Sequence, residues 1–422
     1  MQQAAPTPTH PIQATINIPG SKSITNRALI LAALAQGSSR LSNMQISDDT
    51  LTLITALKQL GIEITVDKKN TICYIKGCDG VFPNNKATIW CQDAGTIARF
   101  LLAACAIMPG EYYIDATPRL RTRPITPLLN ALIEQGATIL PAKTQSLPLT
   151  LRGKRFLAGG HITIDASLSS QIASALLMIA PFTEKPVTLT LKQLVSEPYI
   201  AMTLSVMAAF GVTAKQIDAL HFHIPNTQHY QATEYAIEPD YSTASYFFAA
   251  AAVTGGHITI QPTERAKVIQ GDIAFLGALE QMGCRVEETA SGLSVHGPKE
   301  LTGIKIDMGN FSDTFMTLAA IAPFAKGPTH IYNIAHARLK ESDRIAAMES
   351  ELSKLGVRVE SGKDWMTIYP SETHGGLVDP HNDHRIAMAC AVVGLRTPGV
   401  MIDNAECVGK TCPEFFELWN KM

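Results

Sequence analysis

One pattern recurs six times along the 422 residues and limits the fold more than any other feature: an apolar helix, a turn, then an alternating strand. It reads NRALILAALAQGSSRLSN, TIARFLLAACAIMPGEYYID, SQIASALLMIAPFTEKPVTLT, STASYFFAAAAVTGGHITI, DTFMTLAAIAPFAKGPTHIYN and DHRIAMACAVVGLRTPGVMID. The turns fall at Gly37, Gly110, Lys185, Gly255, Gly327 and Gly399, so successive gaps are 73, 75, 70, 72 and 72 residues. Self-similarity at a fixed period marks a repeat architecture. A second series interleaves with the first: a striped helix, a Gly, then a strand, with glycines at Gly61, Gly136, Gly211, Gly283 and Gly356. A Gly there suits the left-handed residue that ends a helix.

Helices of the first series are apolar nearly all round, which marks them as buried; the striped ones should lie outside. One unit is therefore buried helix, strand, surface helix, strand, with room for one more strand. The period exceeds the roughly 20–50 residues usual in an open solenoid. The sixth unit is short: its surface helix would be Pro413–Lys421. Ala14–Ile18 reads as a strand before Pro19-Gly20, and we expect it to supply the missing strand of that sixth unit. This divides the chain into an N-terminal domain, 21–238, and a discontinuous C-terminal domain, 1–20 plus 239–422, with three units each.

The residues that open the buried helices carry the unusual chemistry. They are Pro19-Gly20-Ser21-Lys22-Ser23, Asp93-Ala94-Gly95-Thr96, Ser169-Ser170-Gln171, Glu238-Pro239-Asp240-Tyr241-Ser242, Ser312-Asp313 and Asn382-Asp383-His384-Arg385. In a symmetric domain these starts gather at one end, where free N–H groups and helix dipoles favour anions. Ser, Asp and Asn also serve as plain caps, which suffices for Ser242 and Ser312. Capping does not explain Lys22, Arg27, Arg99 and Arg385, because a cation near a helix start is unfavourable without an anion. Arg119, Arg121 and Arg123 fall on one side of an extended segment, and Arg338, Lys340, Arg344 and Lys410 add charge near later helices. Arg matches carboxylate and phosphate by two-pronged bonding. The expected ligand carries several anionic groups. PGSKS is not an NTPase phosphate loop, which needs Gly immediately before the Lys.

Bulk composition agrees. A formal charge of −2 supplies no basic field for nucleic acid or a membrane surface. The apolar share, 46%, gives ample core. Eight scattered cysteines lack zinc-site spacing and fit a reducing compartment. Without an apolar run long enough to span a bilayer or a charged-then-apolar leader, the expectation is a cytoplasmic, soluble protein with a loose tail at MQQAAPTPTH. No metal and no cofactor are expected, and the working expectation for assembly is a monomer.

PGSKSITNRAL, AGTIARFL, RLRTRPITPLL, SSQIASALLM, SEPYIAMTL, QGDIAFLGALEQMG, ARLKESDRIAAM, NDHRIAMA and KTCPEFF, in that order, resemble the enolpyruvyl transferase family, and most closely its branch acting on shikimate 3-phosphate. The resemblance runs from about Ile16 to Phe416. It implies an α/β fold: a two-domain inside-out α/β barrel with three βαβαββ-type repeats per domain, buried parallel helices and an active site in the cleft between the domains. It further implies transfer of the enolpyruvyl group of phosphoenolpyruvate to the 5-hydroxyl of shikimate 3-phosphate, on the route to chorismate and aromatic amino acids, and a target for glyphosate.

Carried over by position, the resemblance assigns Lys22, Ser23, Arg27, Ser169, Ser170, Gln171, Ser196, Tyr199, Asp313, His336 and Lys340 to shikimate 3-phosphate. It assigns Lys22, Gly95, Arg123, Gln171, Arg344, Arg385 and Lys410 to phosphoenolpyruvate, and Asp313, Glu341 and Lys22 to catalysis. Three positions depart from the usual pattern: Asp93 stands for Asn, His336-Ala337-Arg338 precedes the Lys-Glu pair, and Cys412 replaces an aromatic. An acid at 93 would repel an anionic substrate unless it caps the helix or pairs with a cation.

The implied chemistry adds the hydroxyl to C2 of phosphoenolpyruvate while C3 takes a proton; phosphate then leaves as C3 returns one. Asp313 is the expected base for the hydroxyl and Glu341 the group acting at C3. A first-turn acid stabilised by the helix dipole would also account for Glu341. Two rivals stand beside this reading. The sister activity on UDP-N-acetylglucosamine expects Asn after the motif Lys, where Ser23 stands, and a Cys in the loop 116–122, which has none. A non-catalytic binding protein on the same fold expects a proton-transfer group to be missing.

Overall fold

The computed structural model describes residues 1–261 and 264–422. The chain forms two compact units: an amino-terminal unit, Gly20–Ile237, and a carboxy-terminal unit of Met1–Pro19 with Glu238–Met422.

All six apolar stretches are helices: Lys22–Leu34, Gly95–Ala106, Ser170–Ile179, Tyr241–Thr254, Phe315–Ile321 and His384–Gly394. Nearly every side chain on them is buried, as an unstriped apolar helix requires. In the carboxy-terminal unit each buried helix packs on the other two. Surface helices follow in each repeat: Asp48–Gln59, Thr126–Glu134, Pro198–Ala209, Phe275–Gln281, Arg344–Lys354 and Phe415–Trp419. The last is shorter than the Pro413–Lys421 expected. Glycines 61, 136, 211, 283 and 356 end the first five at φ between +86° and +103°, a region a side chain rarely adopts. At the first, Gly61 N–H bonds Lys58 O and Ile62 N–H bonds Leu57 O, closing the last turn.

Every full sheet repeats one plan: a parallel pair, then two antiparallel strands. Lys86–Trp90 runs parallel to Gly110–Asp115, followed by Leu149–Gly153 and Thr138–Leu140. Gly160–Ala166, Val187–Leu194, His221–Ile224 and Lys215–Asp218 do the same. In both, the parallel pair flanks a buried helix, so a repeat is strand, buried helix, strand, surface helix and two strands. Three such repeats in the amino-terminal unit, and two with a shorter third in the carboxy-terminal unit, each surround three buried helices, which is the inside-out α/β barrel.

The amino-terminal strand does not go where the sequence reading put it. Gln13–Asn17 pairs in parallel with His257–Gln261 of the fourth repeat, not with the sixth. The reason is topological. Glu234–Ala236, the strand just before the fourth buried helix, already pairs with Ser38–Ser42 in the amino-terminal unit. That leaves the parallel position of the fourth sheet open, and Gln13–Asn17 fills it with Ile16 and Ile18 in the core. The sixth sheet is completed by Gln3–Ala4, antiparallel to Val400–Ile402. The first residues are therefore not a loose tail: Thr7 also donates to Gly394 O at 2.7 Å.

Candidate active site

Helix starts do gather at one end within each unit. In the carboxy-terminal unit Asp240 caps the fourth buried helix, accepting from Thr243 N–H at 2.9 Å, and Asp383 caps the sixth, accepting from Arg385 N–H at 3.0 Å. The cap of the fourth is thus Asp240, not Ser242. Ser312 does not cap either: its Oγ lies 2.6 Å from His336 Nε2, and residues 312–314 form a 3₁₀ turn into the fifth buried helix.

Asp313 leaves that turn and meets two arginines, Arg344 Nη1 at 3.0 Å and Arg385 Nη2 at 2.9 Å. Arg344 opens the surface helix capped by Asp343, is 2% exposed, and also donates to Glu341 Oε2 at 2.8 Å and Asp383 Oδ2 at 2.9 Å. One buried guanidinium thus holds three carboxylates in register. Burial raises the carboxyl pKa of Asp313, but Arg385, Lys340 and Arg344 outweigh it and hold the group well below the usual range. Asp313 is therefore ionised at neutral pH, fit to accept a proton and unfit to supply one. Arg344 is pushed higher still, because Asp383, Glu341 and Asp313 overcome its desolvation. Burial, reinforced by Lys340, lowers His336 to about 4 against the pull of Asp313, so the imidazole is neutral. Lys410 ends the 3₁₀ segment Ala405–Lys410, away from the arginine cluster in sequence but half-buried like Lys340.

In the amino-terminal unit Ser21 caps the first buried helix and Lys22 begins it; Lys22 Nζ lies 3.0 Å from Asp49 Oδ2, both largely buried. Arg27, 1% exposed, donates to Ser23 O, Ser174 Oγ, Thr203 Oγ1 and Tyr199 O, and lies over the Phe100 and Tyr199 rings. Burial lowers it to about 10. This guanidinium ties the first buried helix to the third buried and third surface helices.

The second and third helix starts meet through Arg99. Its Nη1 donates to Gly95 O at 3.0 Å and Gln171 Oε1 at 2.9 Å, and its Nη2 to Pro124 O at 2.7 Å. Gln171 returns a bond to Thr96 Oγ1 at 3.0 Å. Arg123 closes on the same place: a Cβ on Gly95 would fall 2.8 Å from Arg123 Cζ and 2.6 Å from Arg99 Nη1. Gly95, Arg123 and Gln171 thus converge. Ser169 caps the third helix and Ser170 is buried beside it. Ser196 holds a φ of 54° and accepts from Tyr199 N–H at 3.1 Å.

Some expectations fail here. Arg119, Arg121 and Arg123 do not lie along an extended segment. Thr117 and Pro118 start a helical turn, Pro118–Arg121, so Arg121 swings onto Asp115 at 2.8 Å while Arg119 is exposed. Asp93 does not cap its helix, whose cap position is Ala94; it accepts from Thr117 Oγ at 3.0 Å. The sequence reading also passed over Asp49, Arg99 as a bridging group, and Asp383 as a ligand of Arg344. Asp49 gave a signal, an acid in the first turn of the helix after Lys22. The Arg344–Asp383 pairing spans 39 residues and gave none.

A family model described as EPSP synthase (3-phosphoshikimate 1-carboxyvinyltransferase) matches residues 6–419. The chain belongs to the EPSP synthase family. Relatives named 3-phosphoshikimate 1-carboxyvinyltransferase include those of Nostoc sp., 46% identical over 99% of both chains, and Methanoregula boonei, 41% identical over 97% of each. Among solved structures, an EPSP synthase from Acinetobacter baumannii matches with a TM-score of 0.83 at 24% identity, covering 100% of this chain and 98% of that one. An enolpyruvyl transferase from Streptomyces tendae matches at 0.76 and 17%, covering 100% and 96%. These two likenesses establish the fold. As a member of the EPSP synthase family the chain is a transferase of aromatic amino acid biosynthesis. Among its described residues no helix is long and apolar enough to cross a membrane, and no group of three or more His, Cys, Asp or Glu is placed to hold a metal ion.

Proposed function

We propose that this chain transfers the enolpyruvyl group of phosphoenolpyruvate to the 5-hydroxyl of shikimate 3-phosphate, releasing 5-enolpyruvylshikimate 3-phosphate and inorganic phosphate. The observation that carries the reading is the cluster of Arg344 and Arg385 on Asp313 and Glu341. Addition to an enol phosphate needs a base at the hydroxyl, an acid that becomes a base at carbon, and fixed cations for a substrate with carboxylate and phosphate. The cluster offers all three.

In this reading Asp313, held ionised, takes the proton of the hydroxyl as its oxygen bonds to C2. Glu341 gives a proton to C3, which leaves a tetrahedral adduct. Glu341 then removes a proton from C3, the C2–O bond to phosphate breaks, and phosphate departs with the electron pair and with the proton that Asp313 took from the hydroxyl. Arg344 and Arg385 exchange part of their bonding from Asp313 and Glu341 to the substrate carboxylate. That exchange frees Glu341 of a cation, which favours its protonated form when an acid is needed. Lys22, Gln171 and Arg123 hold phosphate oxygens, and Gly95 leaves room for them. Ser23, Ser169, Ser170, Ser196, Tyr199, His336 and Lys340 position the shikimate phosphate and ring, Arg27 braces that wall, and Lys410 adds charge to the phosphoenolpyruvate side.

The relatives' shared name supports shikimate 3-phosphate over UDP-N-acetylglucosamine as the acceptor. We place the chain in the cytoplasm as a monomer. Phosphate release from the purified chain tests the reading: it should need phosphoenolpyruvate and shikimate 3-phosphate together. Release with UDP-N-acetylglucosamine instead, or no release at all, would overturn it.

A further inference from the structure

Glu351 is fully buried, yet the mechanism gives it no part. It stands on the surface helix Arg344–Lys354, seven residues after Arg344. Seven residues are about two turns, so both side chains leave the helix on one face. The two grip the same stretch of chain. Arg344 donates to Asp383 through Nε and Nη2. Glu351 takes the residues just before it: its Oε2 accepts Asp379 N–H at 3.0 Å, and its Oε1 lies 2.9 Å from His381 Nε2. A carboxylate only accepts, so the imidazole is the donor. Lys354 Nζ, one turn on, donates to both oxygens at 2.8 and 2.9 Å and supplies the counter-charge that a buried carboxylate needs.

What Glu351 holds is an unusual piece of backbone. His381 and Asn382 have φ of 53° and 55°. Residues with side chains visit this left-handed region singly as a rule, and two in succession persist only where the surroundings impose them. Within the loop, Asp379 Oδ1 accepts His381 N–H at 2.8 Å and Pro380 O accepts Asp383 N–H at 2.8 Å. On its far side Asn404 donates to Asn382 Oδ1 at 3.2 Å. Glu351 ties the loop itself to the helix that bears Arg344. Directly after the loop come Asp383, which caps the sixth buried helix, and Arg385, which meets Asp313 at 2.9 Å.

We propose that Glu351 is a positioning residue of the active site: by holding Asp379 and His381 it sets where Arg385 stands against Asp313, and so how well the site receives phosphoenolpyruvate. The surface helix acts as a two-point clamp. Arg344 alone would leave the loop free to pivot about Asp383. A second hold two turns away, about 10 Å along the helix, removes that freedom. A guanidinium displaced by about 1 Å loses the two-pronged geometry that a carboxylate or phosphate needs. A plain strut would differ in its consequence: its loss would lower stability without singling out one substrate.

The kinetic test rests on the proposed function. In Glu351→Gln one oxygen becomes an amide nitrogen that cannot accept, so the loop loses one of its two bonds to the helix. KM for phosphoenolpyruvate should rise about tenfold, while KM for shikimate 3-phosphate stays within about twofold of the parent's. His381 gives a second test that leaves the helix untouched. His381→Ala should raise KM for phosphoenolpyruvate likewise, and His381→Gln, whose amide nitrogen stands where Nε2 does, should restore it. Both variants keep a side chain in the left-handed region, so their difference reports the bond to Glu351. Both KM values unchanged in Glu351→Gln, both raised alike, or no difference between the two His381 variants would overturn the inference and leave the transferase reading intact. Hydrogen exchange of the substrate-free chain reads the clamp independently of turnover. Amides 381–385 should exchange at least about tenfold faster in Glu351→Gln, with those of 315–321 unchanged. Equal exchange at 381–385 would overturn the inference even if the chain proved inactive with both substrates.

Discussion

At the scale of single residues, two contacts decide most. Gly95 has no space for a methyl group, because Arg99 and Arg123 stand within 3 Å of where it would go. Gly95→Ala should displace Arg123 and raise KM for phosphoenolpyruvate roughly ten- to a hundredfold, with a smaller change in kcat, as steady-state kinetics will show. Glyphosate, also a carboxylate with a phosphorus-centred anion, should inhibit the parent in the micromolar range and the Ala variant far less; a parent that tolerates millimolar inhibitor would contradict that use of Gly95. Glu341→Gln keeps a bond to Arg344 but cannot carry a proton, so kcat should fall about 10²–10⁴-fold. Turnover near the parent's would remove Glu341 from the proton path. Asp313 makes a pH claim as well. Its folded-state pKa is depressed, so its contribution to stability is present above the unfolded value of about 3.9 and is lost as pH falls through the folded one. Asp313→Asn should therefore destabilise at pH 7 by about 1.5–3 kcal/mol, and the gap to the parent should close progressively below about pH 4 in thermal melts.

At the scale of elements, the caps are unequal. Ser169 offers one neutral bond to Gln171 N–H at 3.3 Å. Asp383, fully buried, accepts Arg385 N–H, Ser342 Oγ and two bonds from Arg344. Ser169→Ala should cost about 1 kcal/mol and Asp383→Ala about 3–5 kcal/mol, because the second removes four buried hydrogen bonds, two of them from the Arg344 guanidinium. Denaturant unfolding of the two variants gives the comparison. The same contrast shows what a sequence discloses. Apolar content and period are local properties, so the six buried helices, the glycines that end the surface helices and the residues opening each helix were readable in order. Partners remote in the chain were not. The place of Gln13–Asn17 beside His257–Gln261 depends on which strand had already paired with Ser38–Ser42, and no local pattern records that. The helical turn at Pro118–Arg121 was missed for the opposite reason: the alternation of arginines was given more weight than Thr117-Pro118, a cap followed by a helix-starting proline.

At the scale of the whole molecule, the chain is two sets of three repeats, and each set brings its helix starts to one end. In one set they hold Gln171 and Arg99 near Arg123, with Lys22 on Asp49; in the other they hold Asp313 and Arg385 against Arg344 and Glu341. The cations looked, in sequence, like charges waiting for an anion. The structure gives Lys22 and Arg385 carboxylate partners from the chain itself, Asp49 and Asp313. On this account substrate anions enter by exchange with such carboxylates, and the two that Arg344 and Arg385 release, Asp313 and Glu341, are the groups that move protons. Running the reaction in deuterium oxide and weighing the product tests this most directly. Addition followed by elimination makes C3 a methyl group in passing, so shikimate 3-phosphate should yield an enolpyruvyl product with deuterium in its methylene, released together with phosphate. Phosphate release with a product that carries no deuterium would contradict it.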